Sequence, residues 1–198
     1  MANEHSFASP GPAGLGALAV ICFAFYALLT GKVSHNAAPL LACWLIGGAI
    51  CQIVTGVIEL KDHSIVGGNV FLFFGAFFMV VTALSLVTKY GLAQAGLPMD
   101  TRVEGWCWLG GLCFLVMMTP AYLKSPKLLF FAIVAIDVAL LCLVGLDMKL
   151  NIPRALFASI AGWALLFAGF VGIYMAGAIV LNTHFGKVIL PTTKPIIT

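Results

Sequence analysis

With 62% hydrophobic residues, 9% charged residues and a mean hydropathy of +1.11 over 198 residues, the chain lies outside the range of soluble globular domains and reads as an integral membrane protein. A crossing helix takes about 20 apolar residues, so this length holds about six spans with short connections and leaves no room for a soluble catalytic domain. The formal charge of +3 is spread over short loops, which argues against a nucleic-acid surface and against a polybasic lipid patch.

The polar leader Met1 to Ser9 lacks the positive start and the cleavage site of a signal peptide, so the first span is expected to stay. Ser9 to Gly16, SPGPAGLG, then sets two prolines and three glycines at the start of the first apolar run. Pro10 and Pro12 fix φ and favour extended residues before them, which predicts a bent, glycine-lined backbone with the helix beginning near Gly14 and Leu15. Gly11, Gly14 and Gly16 would let other backbone or a small solute come close, and first-turn N–H groups would favour an anion nearby. The plainer alternative is a proline-started membrane helix.

The first span is placed at about 14–29, with Tyr26 suited to an interface. The second covers about 38–60, with Pro39 in its first turn and Gly47-Gly48 marking close packing or a bend. Gln52 and Glu59 lie two helical turns apart and form a polar stripe on one face. The third, about 69–87, carries Phe71, Phe73, Phe74, Phe77 and Phe78, five rings at mixed helical angles that cannot all line one lumen.

Lys89 to Gly105 reads as the longest loop, a rim. The fourth span, about 106–122, has Trp106 and Trp108 at one end and Tyr122 at the other as aromatic anchors, with Pro120 ending or kinking it. The fifth, about 128–146, holds Asp137 in its middle. A carboxylate there is costly and needs either a partner, for which Thr82 and Ser85 are candidates, or a place beside a pathway. The last span, about 155–181, repeats Ala164, Ala168, Gly172 and Ala176 at steps of four, a seam for close helix contact, and residues 182–198 form a tail. The architecture expected is all-α, one six-helix bundle, as a single transmembrane domain over 1–198. Lysines and arginines divide five to five between the two sides, so charge alone does not orient it.

Cys22, Cys43, Cys51, Cys107, Cys113 and Cys142 form no CxxC pair and read as small core residues, giving neither a disulfide framework nor a metal site. His5, His35, His63 and His184 are scattered over termini and connections, and no HExxH, GxSxG or phosphate loop is present. No catalytic residues and no cofactor are expected.

Several of these stretches resemble one family. SPGPAGLGAL resembles the NPAPLGLGAF signature of the acetate uptake transporter family, the succinate/acetate permeases. GGAICQIVTGVIELK resembles that family's second span with its Gln and Glu, NVFLFFGAFF its third, and the tail AGWALLFAGFVGIYMAGAIVLNTHFGKVILP its last. The likeness covers nearly the whole chain and is weakest from Gly91 to Trp108.

The resemblance implies a homohexamer in the cell membrane, each protomer holding its own pathway for small monocarboxylates, with cytoplasmic termini. It places the family's constriction at Leu18, Phe74 and Ile136, where the family commonly has Phe and Tyr at the first two. Pro10, Pro12, Gly14 and Leu15 match the signature; Ser9, Gly11 and Ala13 depart from it. At the position of Asp137 the family tends to have a hydroxyl residue. Expected substrates are acetate and possible relatives such as succinate, formate and lactate, passing as through an anion channel or a proton-coupled permease. An amide or urea channel is the runner-up, and a structural membrane organiser a more remote reading. Gln52, Glu59 and Asp137, costly in hydrocarbon, favour transport over a structural role.

Overall fold

The structure, a computed structural model, describes residues 8–197; His5 and most of the leader lie outside them. Six helical segments are long and apolar enough to cross a membrane, and no strand occurs among the described residues. The chain is all-helical and multi-pass.

Helix α1 runs Gly11–Leu29. At about 1.5 Å per residue its 19 residues reach about 28 Å, close to the thickness of a hydrocarbon core. After a 3-10 turn at His35–Ala37, α2 covers Ala38–Lys61. The third span is composite: α3 (Ile65–Phe73), a π-helical segment (Phe74–Val81) and α4 (Thr82–Gln94) follow one another without a break. The fourth is α5 (Arg102–Met118) continued by a 3-10 segment, Thr119–Lys124, where Pro120 withholds an N–H from the α-helical ladder. Helices α6 (Lys127–Asp147) and α7 (Arg154–Phe185) complete the bundle, and α7 stops at Gly186, whose φ of 62° places it in the left-handed conformation that glycine adopts without penalty.

Two expectations fail here. The helix starts at Gly11 rather than near Gly14, so the bent, extended entry gives way to the plainer proline-started helix, with Pro10 capping it in helical geometry (φ −83°, ψ −9°) and Pro12 in the first turn, where a missing N–H costs nothing. The supposed loop from Lys89 to Gly105 is mostly helix, because α4 continues to Gln94 and α5 begins at Arg102. Lys89 on α4 pairs with Glu104 on α5, which also accepts from the Ser85 hydroxyl, so polar residues brace two helix ends instead of forming a rim.

Helix α1 packs on α7 and α2, α7 on α6, α6 on α5, and α2 on the composite third span. Stacking of Phe73 on Phe114 (4.1 Å between centroids) and of Phe78 on Trp108 (5.3 Å) joins the third span to α5 and closes the ring. Trp106 is exposed as an anchor should be, whereas Trp108 turns inward to that stack. The main core cluster draws on every span but the second, with Leu15, Phe74, Leu115, Ile136 and Val171 among its members, and so occupies the middle of the bundle.

All six cysteines are free. Only Cys22 and Cys142 are core residues; Cys43, Cys107 and Cys113 are exposed on outward faces and Cys51 is half-buried, so the reading of all six as core is corrected.

Candidate transport pathway

The N-terminal motif is held by the polar stripe of α2. Gln52 Nε2 donates to the Gly14 carbonyl at 3.2 Å and Thr55 Oγ1 to the Pro10 carbonyl at 3.4 Å. A Cβ on Gly14 would lie 2.7 Å from the Phe71 ring and 2.9 Å from Thr55 Cγ2, so close approach does require glycine there. At Gly11 the added Cβ would stand 3.4 Å from a Glu59 carboxylate oxygen, and Glu59 also borders Gly67. Gly16 has open space beside it. Gln52 and Glu59 share a face as expected, and that face clasps the start of α1. Gln52 is 1% exposed and its Oε1 is buried with no hydrogen-bond partner.

The same geometry trims what the motif can offer a solute. The Ala13 and Gly14 N–H groups both donate to the Pro10 carbonyl, at 3.0 and 3.3 Å, and Pro12 has no N–H. An anion cradle built from the first-turn amides is therefore not what these residues form. Ser9 is exposed and Leu15 is buried in the central cluster.

Phe74 and Ile136 belong to that central cluster, 6% and 2% exposed, and half-buried Leu18 packs against it. One residue each from the first, third and fifth spans thus joins or borders the same apolar cluster. Phe74 opens the π-helical segment, whose wider turn re-aims side chains relative to an unbroken α-helix and recurs at functional sites. The next residue, Gly75, sits where a Cβ would be 2.7 Å from Ile53, pressing the segment onto α2. Phe74 contacts Phe78 at 4.4 Å between centroids, and Phe78 stacks on Trp108, so the Phe74 ring is buttressed from one side.

Asp137 finds its partner on the fourth span rather than on the third. Thr119 Oγ1 lies 2.7 Å from Asp137 Oδ2, while Ser85 is engaged by Glu104, so neither proposed partner is used. Span order could not reveal this, because only the packing of α6 on α5 brings Thr119 within reach. Asp137 Oδ1 is buried without a partner.

Sequence reasoning placed a tail at 182–198 without its contacts, and α7 continues into it as far as Phe185. Tyr174 donates to the Pro191 carbonyl at 2.6 Å, Asn182 bonds Ile189 and Leu190, and the Ile196 and Ile197 N–H groups donate to the Leu123 carbonyl. The segment folds back over the turn between α5 and α6, at the end of the bundle that also holds the N-terminal motif. At the opposite end, Asp100 is chelated by Arg102, whose guanidinium and backbone N–H hold its carboxyl well below the usual carboxylate range.

Known proteins place this arrangement. The succinate-acetate/proton symporter SatP of Escherichia coli K12 is 32% identical over 153 residues, covering 77% of this chain and 78% of that protein. Accumulation of dyads protein 2 of Saccharomyces cerevisiae is 25% identical over 190 residues, 92% of this chain and 66% of that protein. The solved structure of the bacterial acetate channel SatP matches with a TM-score of 0.81 at 27% identity, over 94% of this chain and 99% of that one. With residues 1–194 matching the GPR1/FUN34/yaaH family as well, the chain belongs to that family.

Proposed function

We propose that this protein carries small monocarboxylates, acetate foremost, across the cell membrane through a pathway inside each protomer that narrows at Leu18, Phe74 and Ile136. The observation that carries the reading is the place of Phe74 and Ile136 in one apolar cluster, with Leu18 packed against it, in a chain whose bacterial relatives are named for acetate and succinate transport. A carboxylate gathers at a mouth, sheds water and passes the throat singly; flux requires that binding be weak and repeated. The ionised form pays heavily for desolvation in an apolar ring, and the neutral acid far less. The protein performs no covalent chemistry on its substrate.

The working unit is a homohexamer with its termini in the cytoplasm. In support of assembly, a groove of about 390 Å³ on the outer face of α1 and α2 is lined by Gly16, Val20, Cys43, Trp44 and Gly47, and nothing stands within 4 Å of a Cβ added at Gly16 or Gly47. Such a surface of small and apolar residues suits another helix coming close.

Radiolabelled uptake into proteoliposomes tests the reading. Acetate should enter faster than urea and be slowed by competing formate or lactate. Urea uptake exceeding acetate uptake would assign the protein to the amide-channel class, and no uptake of either would leave the structural organiser.

A further inference from the structure

Asp137 stands midway between Lys127 and Asp147, the ends of α6, next to the throat position Ile136. Thr119, its partner, is one helical turn beyond Leu115, a fully buried member of the same central cluster. Thr119 Oγ1 lies 2.7 Å from Asp137 Oδ2 and 2.9 Å from the Leu115 carbonyl. A hydroxyl carries one hydrogen, so it cannot donate to both. With Asp137 ionised, the Thr119 hydrogen points to Oδ2, and the Leu115 carbonyl keeps the backbone N–H of Thr119. When a proton adds to Oδ2, that new O–H donates to Thr119 Oγ1 and the threonine hydrogen turns to the Leu115 carbonyl; release of the proton reverses both moves. Rotation of one hydroxyl therefore satisfies Oδ2 in either state. Oδ1, buried and unpartnered, remains an open acceptor.

Among the described residues, no other ionisable group bonds this carboxylate. On α5 and its 3-10 extension, Glu104 is engaged by Ser85 and Lys89, and Tyr122 is buried in the apolar cluster. On α7, Arg154 donates to the Leu146 carbonyl and Tyr174 to that of Pro191. On α6 itself, Cys142 packs with Ala139 and Ala161.

We propose that Asp137 is the group that couples proton binding to carboxylate passage, with Thr119 as the positioning residue that serves both of its protonation states. Ionised, Asp137 repels a carboxylate at the throat; protonated, it lets one through. The proposal rests on the carboxylate-transport reading above.

The test is exchange of radiolabelled acetate across proteoliposomes of the full chain, with equal pH on both sides and the acetate anion held at constant concentration while pH is varied. Wild-type exchange should rise as pH falls. Asp137→Asn, whose amide donates to Thr119 as the neutral acid would, and Asp137→Thr should both keep only the rise that follows the growing concentration of neutral acetic acid, as measured in protein-free liposomes. Thr119→Val should displace the pH profile and Thr119→Ser restore it. Independently of flux, acid-minus-neutral infrared difference spectra should show a protonated-carboxyl C=O band that Asp137→Asn abolishes and Thr119→Val shifts. A wild-type pH profile in either Asp137 variant, or an unaltered infrared band, would overturn the assignment to Asp137. Absence of acetate exchange in the wild type at every pH would instead contradict the transport reading itself.

Discussion

Gly14 carries the tightest constraint of any residue in the N-terminal motif. Its missing Cβ makes room for the Phe71 ring and for Thr55, while its carbonyl accepts from Gln52. Gly14→Val should overpack this junction and destabilise the protein by about 1–3 kcal/mol, seen as a lower melting temperature in detergent. Gly16→Ala, in open space within α1, should not lower the melting temperature of the solubilised protein. The Asp100–Arg102 pair behaves in the opposite way. A depressed carboxyl contributes stability above its ordinary range and loses it only as pH falls through the lowered value, but the pair is exposed, so Asp100→Asn should not measurably alter unfolding at neutral pH. At this scale the sequence disclosed identities but not partners. Gln52 and Glu59 were visible as one face from their spacing; that the face clasps Pro10 and Gly14 depends on which helix lies opposite. Thr119 was passed over because a threonine beside Pro120 gives no signal until α5 and α6 are docked.

Among the elements, α1 and α7 share an extensive contact. Glycines of α7 mark its length: an added Cβ would meet Thr30 and Leu29 at Gly162, Phe23 and Cys22 at Gly169, and the Leu15 carbonyl at 3.1 Å at Gly172. Small residues at a step of four have few other uses in a membrane helix, and of that seam Ala168 and Gly172 are buried while Ala164 and Ala176 are half-buried. Gly172→Leu should force α1 away from α7; size-exclusion and thermal unfolding should report lost stability, and a normal melting temperature would contradict the seam. Span ends were read less well. Residues 88–94 look like a loop by composition, yet the helix persists because Lys89 finds Glu104 and long side chains carry their charge beyond the apolar zone. The π-helical segment left no trace in periodicity, since eight residues of uniform hydrophobicity show neither an α nor a π pattern.

For the whole molecule, hydropathy alone dictated six crossing helices, and the contacts of the third span with α2, α2 with α1, α7 with α6 and α6 with α5 follow from short connections joining antiparallel neighbours, whereas the docking of α1 on α7 brings together the first and last spans, which no connection joins. The aromatic closure between the third span and α5 was not foreseeable, because it pairs Phe73 with Phe114 and Phe78 with Trp108 across a change of helical register. In the proposed pathway that closure bears on selectivity, since it backs the Phe74 ring through Phe78. The central claim is that carboxylates cross at Leu18, Phe74 and Ile136. It is tested most directly by the ratio of permeabilities of a larger carboxylate, such as lactate or succinate, to acetate in wild-type and Phe74→Ala proteoliposomes. Truncating a packed ring costs about 3–5 kcal/mol wherever it lies, so stability does not discriminate. The ratio should rise in folded Phe74→Ala protein because the throat has widened; a ratio equal to the wild-type value would remove Phe74 from the pathway.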